Sequence, residues 1–189
     1  MTYSSHYSRG FTLLELLIAF TIIAITFGIS FGSFSFIEKQ RVEQNARTVI
    51  QAIMYARSLA IKENQSVFIC ASDNGSHCDK NWSNTMMIYR DLNGNKSFDA
   101  TDDMIHLFEL GSDDNRIRWG SFRRQDYLEF LPTGMTNFQN GTFTVCANNK
   151  NVETAVPVIV NVAGRPYFGR DSNNDGVREY SGGSPVRCS

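Results

Sequence analysis

The stretch "SRGFTLLELLIAF" (Ser8–Phe20) decides how the rest of the chain is read. It opens on a basic residue, Arg9, and a glycine, Gly10, and then turns apolar. The apolar character runs from Phe11 to Phe31. About 20 such residues in a helix reach about 30 Å, the thickness of a bilayer's hydrocarbon core. Glu15 sits near the start of that run. A carboxylate at membrane depth is strongly disfavoured unless it is neutralised or paired, so Glu15 needs a partner. A secretory signal does not fit. Its apolar region is shorter and ends at a small-residue cleavage site, and no A-x-A site follows here.

Beyond the apolar run the pattern stays helical but becomes one-sided. Val42, Ala46, Val49, Ile50, Ile53, Ala56 and Ala60 recur at the three-and-four spacing of one helix face. Glu38, Lys39, Arg41, Glu43, Arg47, Arg57 and Lys62 fall mostly on other faces. The spacing predicts a helix from Phe11 to near Asn64. Its length implies service to an assembly as well as to its own domain. Gly28 and Gly32 read as a GxxxG close-packing face between membrane helices. The same residues match G-x-S-x-G, but Ser30 lies inside the apolar helix rather than on a strand–turn–helix elbow, so no nucleophile is assigned.

"RGFTLLELL" (Arg9–Leu17) resembles the class III leader of type IV pilins and pseudopilins. The resemblance implies cleavage by a prepilin peptidase between Gly10 and Phe11, followed by methylation of the Phe11 amine. Residues 1–10 are then a leader, 11–64 a long helix with 11–31 transmembrane, and 65–189 a periplasmic β-rich domain. The resemblance also gives Glu15 its partner, the positive N-terminal amine of a neighbouring subunit, and hence a role in filament register. A glutamate that merely reaches the headgroups is the plainer reading. Pilins often carry proline where Gly32 stands; glycine permits unwinding there without enforcing it.

After Asn64 short extended runs take over: Ser66–Ser72, Thr85–Arg90, Met104–Leu110, Arg116–Trp119, Asp126–Pro132, Thr142–Ala147 and Val156–Val162, with "RPYFGR" as a further candidate. They are rich in β-branched and aromatic residues and bounded by Asn, Asp, Gly or Pro. The expected fold is α+β, a long N-terminal helix packed against antiparallel sheets. "YARSLAIKENQSVFICAS", the "DLNGN" turn, "LEFLPTGMTNFQNGTFTVCA" and "VIVNVAGRPYFGR" resemble the GspH, FimT and FimU group of minor pilins.

The chain has 189 residues, a net charge of -1 and 4 cysteines, all beyond the apolar run. An even cysteine count on the far side of a membrane segment points to disulfides in an oxidising compartment. Three pairings exist; the expected one joins Cys70 to Cys78 and Cys146 to Cys188, against reduced, buried thiols. Zinc lacks a second close-spaced ligand pair.

Asp91, Asn93, Asn95, Ser97, Asp99 and Asp102 stand at the spacing of a Ca²⁺-binding loop's oxygens. Lys96 holds the position that wants glycine, so a polar hairpin with no cofactor is the default. Asp171, Asn173, Asp175 and Glu179 make a second partial match. Arginines are dense late in the chain, at 116, 118, 123, 124, 165, 170, 178 and 187. On one face they would hold nucleic-acid phosphates. Some FimT-like pilins bind DNA through a G-R-x-R stretch. Gly164 and Arg165 match it, but Tyr167 replaces its second arginine and Arg170 lies further on. Solvated arginines are therefore preferred over a DNA site at Arg165 and Arg170. His77 lies in a polar loop and His106 in a strand with no serine or cysteine partner, and no enzyme is expected.

The expected function is a minor pilin of a type IV pilus. It would wait in the inner membrane with its domain in the periplasm. It would then join other minor pilins, at or near the tip, to prime assembly of the major pilin. A DNA-binding minor pilin and a type II secretion pseudopilin are the alternatives.

Overall fold

The computed structural model describes residues 11–30, 33–111 and 115–188, with side chains described from 11 to 27 and from 36 onward within them. The chain divides into two compact units, Met1–Ile37 and Glu38–Ser189. In the first, helix α1 (Leu13–Ser30) is apolar on every face, and each described side chain from 13 to 27 is exposed. Its threonines turn inward: Thr21 Oγ1 donates to the Ile18 carbonyl at 2.8 Å and Thr26 Oγ1 to that of Ile22 at 2.9 Å. Such back-bonding hides hydroxyls from apolar surroundings. Among the described residues no helix is long and apolar enough to cross a membrane. The 18 residues of α1 span about 27 Å, and Phe31, the last residue of the expected span, lies outside the described residues.

Helix α2 (Ser33–Glu63) carries the core of the second unit from Glu38 onward. Val42, Ala46, Val49, Ala52, Ile53, Ala56 and Ala60 are fully buried. Two four-stranded antiparallel sheets close on this face. The first runs β3 (Asp103–Glu109), β2 (Thr85–Arg90), β1 (Val67–Ala71), β5 (Tyr127–Phe130), and the second β4 (Asn115–Ser121), β6 (Gly141–Ala147), β7 (Val156–Val160), β8 (Pro166–Phe168). One continuous core joins Ile69, Ile88 and Phe130 of the first sheet to Phe143, Val145 and Val158 of the second. Trp82 sits among them, 5.0 Å from the Phe143 ring edge-on, while Trp119 stacks on Phe143 at 4.3 Å.

The fold is thus α+β, with each expected strand present. Their ends differ from the expected ones where turns take over. The Asp126–Pro132 run yields strand only to Phe130, because Gly134 N–H folds back on the Leu131 carbonyl at 2.7 Å. The Val156–Val162 run stops at Val160, ahead of the turn in which Gly164 N–H meets the Asn161 carbonyl at 2.9 Å.

Those two turns lean on each other and on the helix. Arg57 Nε of α2 donates to the Gly134 carbonyl at 3.0 Å, and Thr136 N–H reaches the Val162 carbonyl at 3.0 Å. Gly164 has φ +72°, and a Cβ there would collide with the Gly134 carbonyl oxygen and approach Arg57 Nε to 3.2 Å. Gly176 has φ +89° but open space around it. Gly176→Ala is therefore expected to cost only the left-handed backbone penalty, about 1–2 kcal/mol. Gly164→Ala should cost about 2 kcal/mol more, since backbone must shift. Urea unfolding of the two variants side by side measures the difference.

Candidate assembly segment and surface sites

The assembly segment begins at the N-terminus of α1. Thr12 caps the helix, its Oγ1 accepting from Glu15 N–H at 3.2 Å. The cap leaves the helix start ordered with Glu15 in its first turn. Thr12 was not singled out above, although the T-x-x-E spacing of a capping box marks it. Phe11 is 82% exposed. Gly10 lies outside the described residues. Among the described residues the Glu15 carboxylate makes no hydrogen bond or ion pair, so nothing described in this chain answers its charge.

Both cysteine pairs are bonded: Cys70 to Cys78 across 8 residues and Cys146 to Cys188 across 42. The first links β1 to the loop before β2. Beside it Tyr89 is buried, and burial, followed by the charges of Asp91 and Asp102, raises its phenol well above the ordinary range. The second ties the C-terminal segment to β6, around a small core of Cys146, Ala155 and Val186.

The acidic loop after β2 turns its oxygens on itself. Asp91 accepts from Gly94 and Lys96 N–H at 2.7 Å each, Asn93 from Asn95 N–H at 3.0 Å, and Asn95 from Ser97 N–H at 2.7 Å. Asp99 is held well below the usual carboxylate range, first by Thr101 and then by Asn93 and Asn95. Lys96 adopts the left-handed conformation, φ 64°, at the position where glycine was wanted. In the second partial match Asp171 accepts from Asp175 and Gly176 N–H at 3.2 and 2.9 Å. Among the described residues no group of three or more His, Cys, Asp or Glu side chains is placed to hold a metal.

Arg165 and Arg170 are exposed but lie beyond opposite ends of β8. The three strand residues and Gly169 lie between them, five steps of near-extended chain or about 16 Å. Other arginines are structural: Arg90 pairs with Glu63 at 2.6 Å, and Arg178 with Glu43 at 3.2 Å. Arg116, Arg118 and Arg187 do come together, with Lys150, around one cleft.

Residues 45–164 match the family model described as "Type II transport protein GspH", and residues 5–31 match the prokaryotic N-terminal methylation motif. The chain belongs to the GspH family. Its fold is similar to that of the type IV minor pilin FimU of Pseudomonas aeruginosa strain PAO1. The TM-score is 0.58 at 19% identity, over 82% of this chain and 99% of that one. It is also similar to the minor pseudopilin EpsH of the type 2 secretion system of Vibrio cholerae, with a TM-score of 0.50 at 11% identity, over 68% and 95% of the two chains. No curated protein sequence matches it. This GspH-family protein is a minor pilin or pseudopilin, of a type IV pilus or a type II secretion system. The matched families are structural pilins, not enzymes.

The two disulfides differ in the loop they close, and loop entropy scales with that length. Cys146→Ala/Cys188→Ala is expected to lose about 4 kcal/mol and Cys70→Ala/Cys78→Ala about 2.5 kcal/mol. Guanidinium unfolding of the oxidised proteins checks the order; a larger loss from the short loop would contradict it.

Proposed function

We propose that the protein is a minor pilin of a type IV pilus that primes filament assembly with other minor pilins and sits at or near the tip. The prepilin peptidase cuts between Gly10 and Phe11, and the new amine of Phe11 is methylated. Phe11–Phe31 anchors the subunit in the inner membrane, with the domain in the periplasm, until it enters the filament.

The observation that carries this reading is Glu15. It stands on a helix whose other described side chains are apolar or fold their hydroxyls inward. A carboxylate with no described partner in its own chain, at the depth of an apolar helix, calls for a cation from another molecule. The N-terminal amine of an adjacent subunit is the right charge at the right end of the helix. The methylation motif over residues 5–31 supports the processing that exposes that amine.

Mass spectrometry of the protein from membranes is expected to find a chain beginning at methylated Phe11; an intact Met1 terminus refutes processing. Glu15→Leu should leave the subunit in the membrane and lower its recovery in sheared pili about tenfold or more. That corresponds to losing a pair worth at least about 1.4 kcal/mol. Co-purification separates the two systems. Capture of the pilus minor pilins supports the proposal, and capture of secretion pseudopilins alone replaces it.

A further inference from the structure

The cleft on the second sheet belongs to no role given so far. Arg116 and Arg118 alternate outward from β4, opposite Cys146 and Thr144 of β6. With Lys150 and Arg187 they line a cleft of about 20 Å³ over the Cys146–Cys188 disulfide, and Thr144 adds a hydroxyl. That volume takes about one water-sized group, so an oxyanion would seat one oxygen in it and keep the rest of its head at the open mouth. Among the described residues no carboxylate lines it, and Arg116, Lys150 and Arg187 enter no salt bridge.

Its place on the domain indicates which oxyanion. Asn149, next to Lys150, donates Nδ2–H to Glu38 Oε2 at 2.6 Å. Glu38 is the first residue of the second unit, so the cleft lies at the end where the chain enters the domain. Lys39 and Arg41 are exposed at the same end. At the other end of α2, about 37 Å away, Arg90 holds Glu63 and the acidic Asp91–Asp103 loop follows. The domain therefore has a basic entry end and an acidic far end. At the basic end Glu38 is taken by Asn149 and Glu43 by Arg178. The Arg178 segment also brings Asp171, Asp175 and Glu179, which accept from backbone N–H groups of their own loop, and the β6–β7 loop brings Glu153. Asp113 and Asp114 lie outside the described residues.

We infer that this basic end docks on anionic lipid headgroups, with a headgroup phosphate in the Arg116–Arg118 cleft. The inference rests on the membrane anchoring proposed above. Only six residues lie between Phe31 and Glu38, seven steps with a reach of at most about 25 Å, so the end is tethered near the surface of any membrane that holds the anchor. Guanidinium groups suit phosphate, with two or more aligned donors each. Screening at about 10 Å keeps the acidic end out of the interaction. A nucleic acid fits less well: the cations gather at one end instead of tracking a face, and the tryptophan of β4, Trp119, is turned into the core and offers no base a stacking platform.

The test is lysine acylation, read residue by residue by mass spectrometry. The full chain is reconstituted in vesicles of phosphatidylcholine alone or mixed with phosphatidylglycerol. Lys39 and Lys150 are expected to react about fivefold more slowly on the anionic vesicles. Lys62 and Lys96, away from the basic end, should react alike on both. Arg116→Gln/Arg118→Gln should remove most of the protection at Lys150, while unchanged Lys62 and Lys96 rates show that the fold is kept. Equal Lys150 rates on both vesicles overturn the inference and leave the anchoring reading standing. Failure to enter either vesicle overturns both. Inorganic phosphate added to phosphatidylcholine vesicles should protect nothing; protection there would assign the cleft to free phosphate instead. Protection by a duplex oligonucleotide, with none from phosphatidylglycerol, would assign it to nucleic acid.

Discussion

The domain depends on how closely two sheets can approach one helix. Ala46, Ala52, Ala56 and Ala60 are fully buried on α2, together with Val42, Val49 and Ile53. A stripe of methyl groups lets strands from both sheets pack near the helix backbone without leaving a void. The two sheets hydrogen-bond within themselves, and the helix face is part of the core they share. A larger residue at one of the alanines would push the sheets apart at Trp82, Phe143 and Trp119, where ring contacts are already close. The stacked aromatics thus depend on the smallness of residues far from them in sequence.

This constraint also explains what could be read from the chain alone. The helix face was legible because burial along α2 follows a 3.6-residue period that alternate packing would break. The strands were legible because runs rich in β-branched and aromatic residues were bounded by Asn, Asp, Gly or Pro. What was not legible depends on strand order. Arg116 and Lys150 are neighbours only because β4 pairs with β6 in one register, Asn115 opposite Ala147. Nothing local to either residue announces that pairing. The dense arginines therefore looked like a single class. Arg178 holds the fold, as Arg57 and Arg90 do earlier in the chain; Arg116, Arg118 and Arg187 gather at the entry end; and Arg123, Arg124, Arg165 and Arg170 are exposed elsewhere.

The two units place opposite demands on polar atoms. In the domain, carboxylates and amides are spent on loops: Asp91, Asn93, Asn95 and Asp99 each close a turn on backbone N–H groups. In α1 the threonines are internally satisfied, and Glu15 is the polar group left over. An isolated apolar helix gains nothing from such a residue. An assembled one gains direction, because a charge at a fixed height can be matched at only one stagger of neighbouring helices. Thr12 sharpens the geometry by capping the helix just ahead of Glu15, so the carboxylate springs from an ordered first turn.

The Gly164–Arg165 pair shows how a motif can carry a physical meaning other than the one its letters suggest. As a fragment of G-R-x-R it points to phosphate. In the fold, Gly164 is required because its turn lies against the Gly134 carbonyl, which Arg57 also holds. Any side chain there would separate the β7–β8 turn from the loop after β5, and with it one sheet from the other. Arg165 then sits at an exposed corner set by that packing, with its N–H on Asn161 Oδ1 at 3.0 Å. The glycine accounts for the turn without any ligand, and the arginine's position follows from the glycine. Phosphate chemistry needs several donors converging on one oxyanion. Among the described residues, that convergence occurs where β4 meets the C-terminal disulfide rather than at the G-R turn.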